Sequence, residues 1–128
     1  MKITPINDKA ETEGAEFVYR GNKFLVARAG NANFKKLFRK LLKPYKEEFD
    51  NDQMSEEESN SIMVECFAKT ILVGWDKIVD RDGKEYEYSY KNAKALLTDD
   101  KDAYTAISKF SENINNYLDE DIKKVKPE

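Results

Sequence analysis

The stretch IMVECFAKTILVGWDKIVDRDGKEYEYSYKNAKALL, from Ile62 to Leu97, decides how the chain is organised. Its first part is apolar on nearly every face: Ile62, Met63, Val64, Cys66, Phe67, Ala68, Ile71, Leu72 and Val73. Ser55-Glu-Glu-Glu58 precedes it, with Ser at the cap and Glu three residues on, which is a capping box and a helix start. The spacing therefore predicts one helix through this run, stopping near Gly74. A helix that is hydrophobic all round belongs at the centre of a domain or against a partner. The second part changes character. Asp82-Gly83 is a turn pair, with Ile78 and Val79 before it and Tyr86 and Tyr88 after it. Ser89 or Tyr90 then opens a short helix with Ala93, Leu96 and Leu97 inward.

Working outward, EFVYRGNKFLVAR (16–28) places Phe17, Val18 and Tyr19 before Gly21-Asn22, and Phe24, Leu25 and Val26 after it. Aromatic and β-branched runs around a Gly-Asn pair read as a hairpin, because glycine supplies the positive φ such turns need. One hairpin alone is marginal and must pack on something. Asn31 or Asn33 caps the next helix, in which Phe34, Leu37, Phe38, Leu41 and Leu42 share an apolar face. Lys35, Lys36, Arg39, Lys40 and Lys43 fall on the opposite face, and Pro44 ends or kinks the helix. EEFDNDQM (47–54) reads as a polar loop. Asp-Asp-Lys-Asp at 99–102 breaks the helix after Ser89 and caps another. There Tyr104, Ile107, Phe110, Ile114, Tyr117 and Leu118 form one stripe. The expected architecture is mainly α: a compact single domain of about four helices with a small N-terminal β-hairpin. It spans residues 16–118, with a mobile arm over 1–15 and a charged C-terminal tail over 119–128.

Composition narrows the chemistry. The chain has 128 residues, one cysteine and no histidine, which suits one domain able to bury its own core. Without histidine there is no imidazole base, no Ser-His or Cys-His pair and no histidine metal ligand. Cys66 lies in an apolar run and reads as a small core residue rather than a nucleophile. An EF-hand register with Gly83 at position 6 puts Ile78 and Ser89 where cation ligands are required, so Asp80 and Asp82 read as turn residues. Glycines stand singly and no GxxxxGK[ST] loop exists. The expectation is therefore a binding protein, with no catalytic residue, no metal and no cofactor. No apolar run suits a signal peptide or a membrane span, so the expected location is a cytoplasm.

Charge is unevenly placed. No acid occurs between Phe17 and Lys46, a span with nine bases, while Glu47, Glu48, Asp50, Asp52, Glu56, Glu57 and Glu58 follow with no base among them. The blocks face each other or face partners. The basic helix raises nucleic-acid binding, but the acidic block and the net charge of -3 oppose a polyanion.

FLVARAGNANFKKLFRKLLKPY, an acidic linker, and then Trp75, Val79-Asp80, Gly83, Tyr88-Ser89, Asn92-Ala93 and Leu96-Leu97 resemble the tail assembly chaperones of long-tailed bacteriophages. Arg28, Gly30 and Asn31 share in that resemblance, which spans residues 16–118. Glu87 stands where a proline is common. The resemblance implies a non-enzymatic protein of the host bacterial cytoplasm. Such a protein binds the tape measure protein, keeps it soluble and promotes tail tube assembly, with the tail tube protein as a further candidate partner and self-association left open. Candidate partner-binding residues are Phe34, Leu37, Phe38 and Leu41 on one helix and Tyr104, Ile107, Phe110 and Ile114 on another. Trp75, Asp80, Gly83 and Ser89 would form a structural corner. Two other readings compete: an inhibitor of a host nuclease, with the acidic block as nucleic-acid mimic, and a nucleic-acid-binding module using the basic helix.

Overall fold

The computed structural model describes residues 3–119, and most of the charged tail expected over 119–128 lies outside them. Two strands open the body, β1 (Ala15–Tyr19) and β2 (Asn22–Val26), paired antiparallel. The Tyr19–Asn22 pair closes the hairpin and leaves Arg20 and Gly21 as its two loop residues, with φ of 49° and 78°. Two positive φ values define the turn whose twist matches paired strands. The turn thus sits one residue earlier than the Gly-Asn reading.

The expected mainly α domain of about four helices is corrected by the next strand. Helix α4 (Glu56–Thr70) ends at Thr70, and Leu72–Asp76 forms β3, which pairs antiparallel with β2. The sheet order is β1-β2-β3. Thr70 Oγ1 donates to the Cys66 carbonyl, and Ala27 N–H donates to the Ile71 carbonyl at 2.7 Å. The apolar run is one segment in sequence but two elements in space. A short buried strand has the same apolar signature as a buried helix, and the hairpin requires a third strand more than the helix requires another turn. A second ribbon joins β4 (Ile78–Val79) and β5 (Glu85–Tyr86). The molecule is mixed α/β.

The other helices are α1 (Asp8–Glu13), α2 (Ala32–Leu42), α3 (Lys46–Asp50), α5 (Tyr90–Asp99) and α6 (Lys101–Glu112), with 3-10 turns at Lys43–Tyr45 and Ile114–Tyr117. Caps set several boundaries. Asn31 accepts from Phe34 N–H, Ser55 and Glu58 complete a capping box, and Ser89 accepts from Asn92 N–H. Asp100 serves twice: its N–H donates to the Leu96 carbonyl and its carboxylate accepts from Ala103 N–H. The residues read as a polar loop at 47–54 hold α3. The stripe read through Leu118 breaks at Asn113, the C-cap of α6.

Phe24 and Val26 of the sheet, Phe67 and Ala68 of α4, Ile71, Leu72, Ala93, Leu97 and Ile107 form the core. Helix α4 packs against α2, α5 and β3, while α6 packs against α5, β1 and β2. Each fully buried Leu, Ile or Phe contributes roughly 1.5–3 kcal/mol. Residues 3–14, expected within a mobile arm, are fastened to this body. Asn7 N–H donates to the Tyr117 carbonyl, Asp119 N–H to the Pro5 carbonyl, and Ile6 bridges Leu118. At Gly14, φ is 104° and a Cβ would stand 2.9 Å from Val73 Cγ2, so only glycine lets the chain pass from α1 into β1 there.

Candidate functional site

Helix α2 is amphipathic, yet none of its residues is fully buried. Phe34, Leu37, Phe38, Leu41 and Leu42 are all half-buried. Phe34 reaches furthest in, edge-on to Phe67 and stacked on Phe38 at 5.9 Å. Further along, the apolar face loses its cover and opens into a cleft. Phe38, Leu42, Phe49, Met54, Ile62 and Met63 line about 190 Å³ between α2, α3 and the start of α4. Leu42 and Phe49 also border a second cleft of about 350 Å³ with Arg39, Lys43, Lys46 and Asp50. Phe49 is the ridge between them and is 50% exposed. A third cleft, about 440 Å³, opens across α4 and is lined by Val64, Leu97 and Tyr104 with Asn60, Thr98, Lys101 and Thr105. Asn60 borders both this cleft and the first. The two clefts therefore adjoin across α4, with the polar Asn60 between their apolar linings.

Lys35, Lys36, Arg39, Lys40 and Lys43 are exposed along the outer face of α2. Among the described residues none of them forms an ion pair, and none pairs with the acidic block that follows. The two charge blocks meet around one cleft, where Lys43 and Lys46 stand with Glu47 and Asp50, but among the described residues they form no ion pair there.

The candidate residues of α6 have a different placement. Ile107 is 0% exposed, inside the core. Tyr104 stacks on Phe67 at 4.9 Å and Phe110 on Phe17 at 4.6 Å, so both spend much of their surface internally. Ile114 is 45% exposed in the 3-10 turn, away from the helix it was grouped with. Of these four, Tyr104 alone lines one of the clefts. Phe49 and Met54 were missed because they stand alone in an acidic segment, although a lone phenylalanine among four acids was the visible clue.

Trp75, Asp80, Gly83 and Ser89 lie along the β4–β5 ribbon and its approach to α5, where Trp75, Asp80 and Ser89 each have separate partners. Trp75 Nε1 donates to the Tyr86 carbonyl at 2.7 Å, and its ring stacks on Tyr86 and meets Tyr88 edge-on. Asp80 Oδ1 accepts from the N–H groups of Asp82 and Lys84, and Gly83 has φ of 78°. That carboxylate is spent on its own turn. Tyr88 OH donates to the Leu72 carbonyl, tying the segment before α5 to β3. Cys66 is fully buried, and desolvation, with Glu65 beside it, pushes its thiol up to about 11; it is not a thiolate at neutral pH.

The family model described as YdaY prophage protein matches residues 29–126, most of the chain. The chain belongs to that family. Its origin is therefore phage, and the matched span takes in α2 through α6, all three clefts and the ribbon, leaving β1 and β2 outside. No curated protein and no solved structure matches the chain. No helix among the described residues is long and apolar enough to cross a membrane.

Proposed function

We propose that this protein is a phage tail assembly chaperone, a non-enzymatic protein that binds helical segments of the tape measure protein in the host cytoplasm. The observation that carries the reading is the half-buried apolar face of α2 and the cleft that it forms with α3 and the start of α4. A tape measure chain presents long amphipathic helices before the tail tube closes around it, and helices dock through their apolar stripe into such grooves. The clefts are open, and the two beside the first carry charged residues at their edges, which suits an occupant that must later be displaced by tail tube subunits. The prophage family and the resemblance carried by Trp75 to Leu97 support the same assignment.

Co-expression with a tape measure protein from the same phage genome tests the proposal. The expected result is a tape measure that stays soluble only in this chain's presence and co-purifies on its tag. A tape measure that aggregates regardless, with nothing retained, overturns it.

A further inference from the structure

The surface running from α2 across α4 has a rim of predominantly one sign. Arg39, Lys43 and Lys46 border the Leu42–Phe49 cleft, and Lys101 borders the one beyond α4. Asp50 is the one acid lining these three clefts among the described residues. None of the four cations has an intramolecular ion pair among the described residues. Their counter-charge is left to whatever docks between them. The floor is apolar, with Phe49 half in solvent, and phosphates would leave such a floor uncovered. Glu47 and Glu48 are exposed on α3 beside the second cleft and oppose an extended polyanion lying along it.

We infer that this surface takes an amphipathic helix whose apolar stripe is flanked by Asp or Glu. The inference rests on the reading above that the α2 side is a partner surface, and it fixes the chemistry of that partner. The apolar stripe covers Phe38, Leu42, Phe49 and Met63, while flanking carboxylates meet Arg39, Lys43, Lys46 and Lys101.

The test uses fluorescein-labelled peptides of about 20 residues, long enough to hold a helix. One carries a Leu/Phe stripe with Glu flanks, and its twin carries the same stripe with Lys flanks. Anisotropy at low salt should show the acidic peptide binding about tenfold tighter than its twin, with the gap closing as salt rises. Phe49→Asp and the double variant Arg39→Glu/Lys43→Glu should each lower acidic-peptide affinity about tenfold. Arg39 and Lys43 are exposed, so the thermal melt of the double variant should match the parent, and that variant decides the test if Phe49→Asp, at a half-buried position, melts lower. Equal or tighter binding of the basic twin, full binding in both variants, or displacement of the peptide by a DNA duplex overturns the inference. If the acidic peptide binds as stated but the tape measure is not solubilised, the tape measure reading falls and the groove chemistry stands. The opposite pair of results removes the acidic occupant and leaves the chaperone reading intact.

Discussion

At Asn31 one side chain joins three backbone groups, two from its own turn and one from the end of α4. Its Oδ1 accepts from Phe34 N–H, while Nδ2 donates to the carbonyls of Arg28 and Thr70. The residue is 5% exposed, so water cannot replace those partners. It sets the start of α2 and clamps it to the end of α4. Asn31→Ala should cost about 2–3 kcal/mol in urea unfolding, from a lost cap and two carbonyls left unpaired. Asn31→Asp keeps the cap acceptor but turns a carboxylate toward two carbonyls, and should fail to restore stability. An Asp variant as stable as the parent would show that the amide bonds contribute nothing. Tyr117 has a similar role from the other end of the chain. Its ring is fully buried and its hydroxyl donates to the Val26 carbonyl at 2.9 Å; burial raises its pKa above the ordinary tyrosine value, with Arg28 pulling weakly the other way.

Among the elements, the helices were legible because their starts are written in single residues: Asn31, Ser55, Ser89 and Asp100 each accept from a backbone N–H at a helix start. The ribbon β4–β5 depends on Asp80 in the same way. Its carboxylate holds the N–H groups of Asp82 and Lys84, and Asp80 N–H pairs with the Lys84 carbonyl. Asp80→Ala should lower hydrogen-exchange protection at the Lys84 amide several-fold, yet move the global urea transition by less than about 1 kcal/mol, because the turn is exposed and opens locally. A large global loss would mean that the ribbon is part of the folding core. Strand β3 was harder to see. Ile71-Leu-Val carries no polar alternation, since Leu72 and Gly74 are buried and Val73 and Trp75 are half-buried. Gly74 also lets Leu25 come close, as a Cβ there would stand 3.1 Å from Leu25 Cδ1. Periodicity cannot separate a strand covered on both faces from one more helical turn.

For the whole molecule, the described ends of the chain meet. Pro5, Ile6 and Asn7 pair with Tyr117, Leu118 and Asp119, and Glu11 holds Arg28 through a half-buried ion pair at 2.7 Å. Removing residues 1–14 should therefore lower Tm by about 5–10 °C in a thermal melt followed by circular dichroism, whereas an arm without contacts would leave it unchanged. Sequence alone determined the Ser55 capping box, the presence of the hairpin, the Asp80–Gly83 turn, the basic face of α2 and the lack of histidine, because each depends on residue type and short spacing, while the structure chose Asn31 over Asn33 and Ser89 over Tyr90 as caps. Only the tertiary structure decided that the apolar run divides between α4 and β3, that Ile107 is core while Phe49 is surface, and that the two charge blocks leave each other unpaired. Those outcomes depend on which apolar faces find partners across the chain, a competition among distant segments that local spacing does not record.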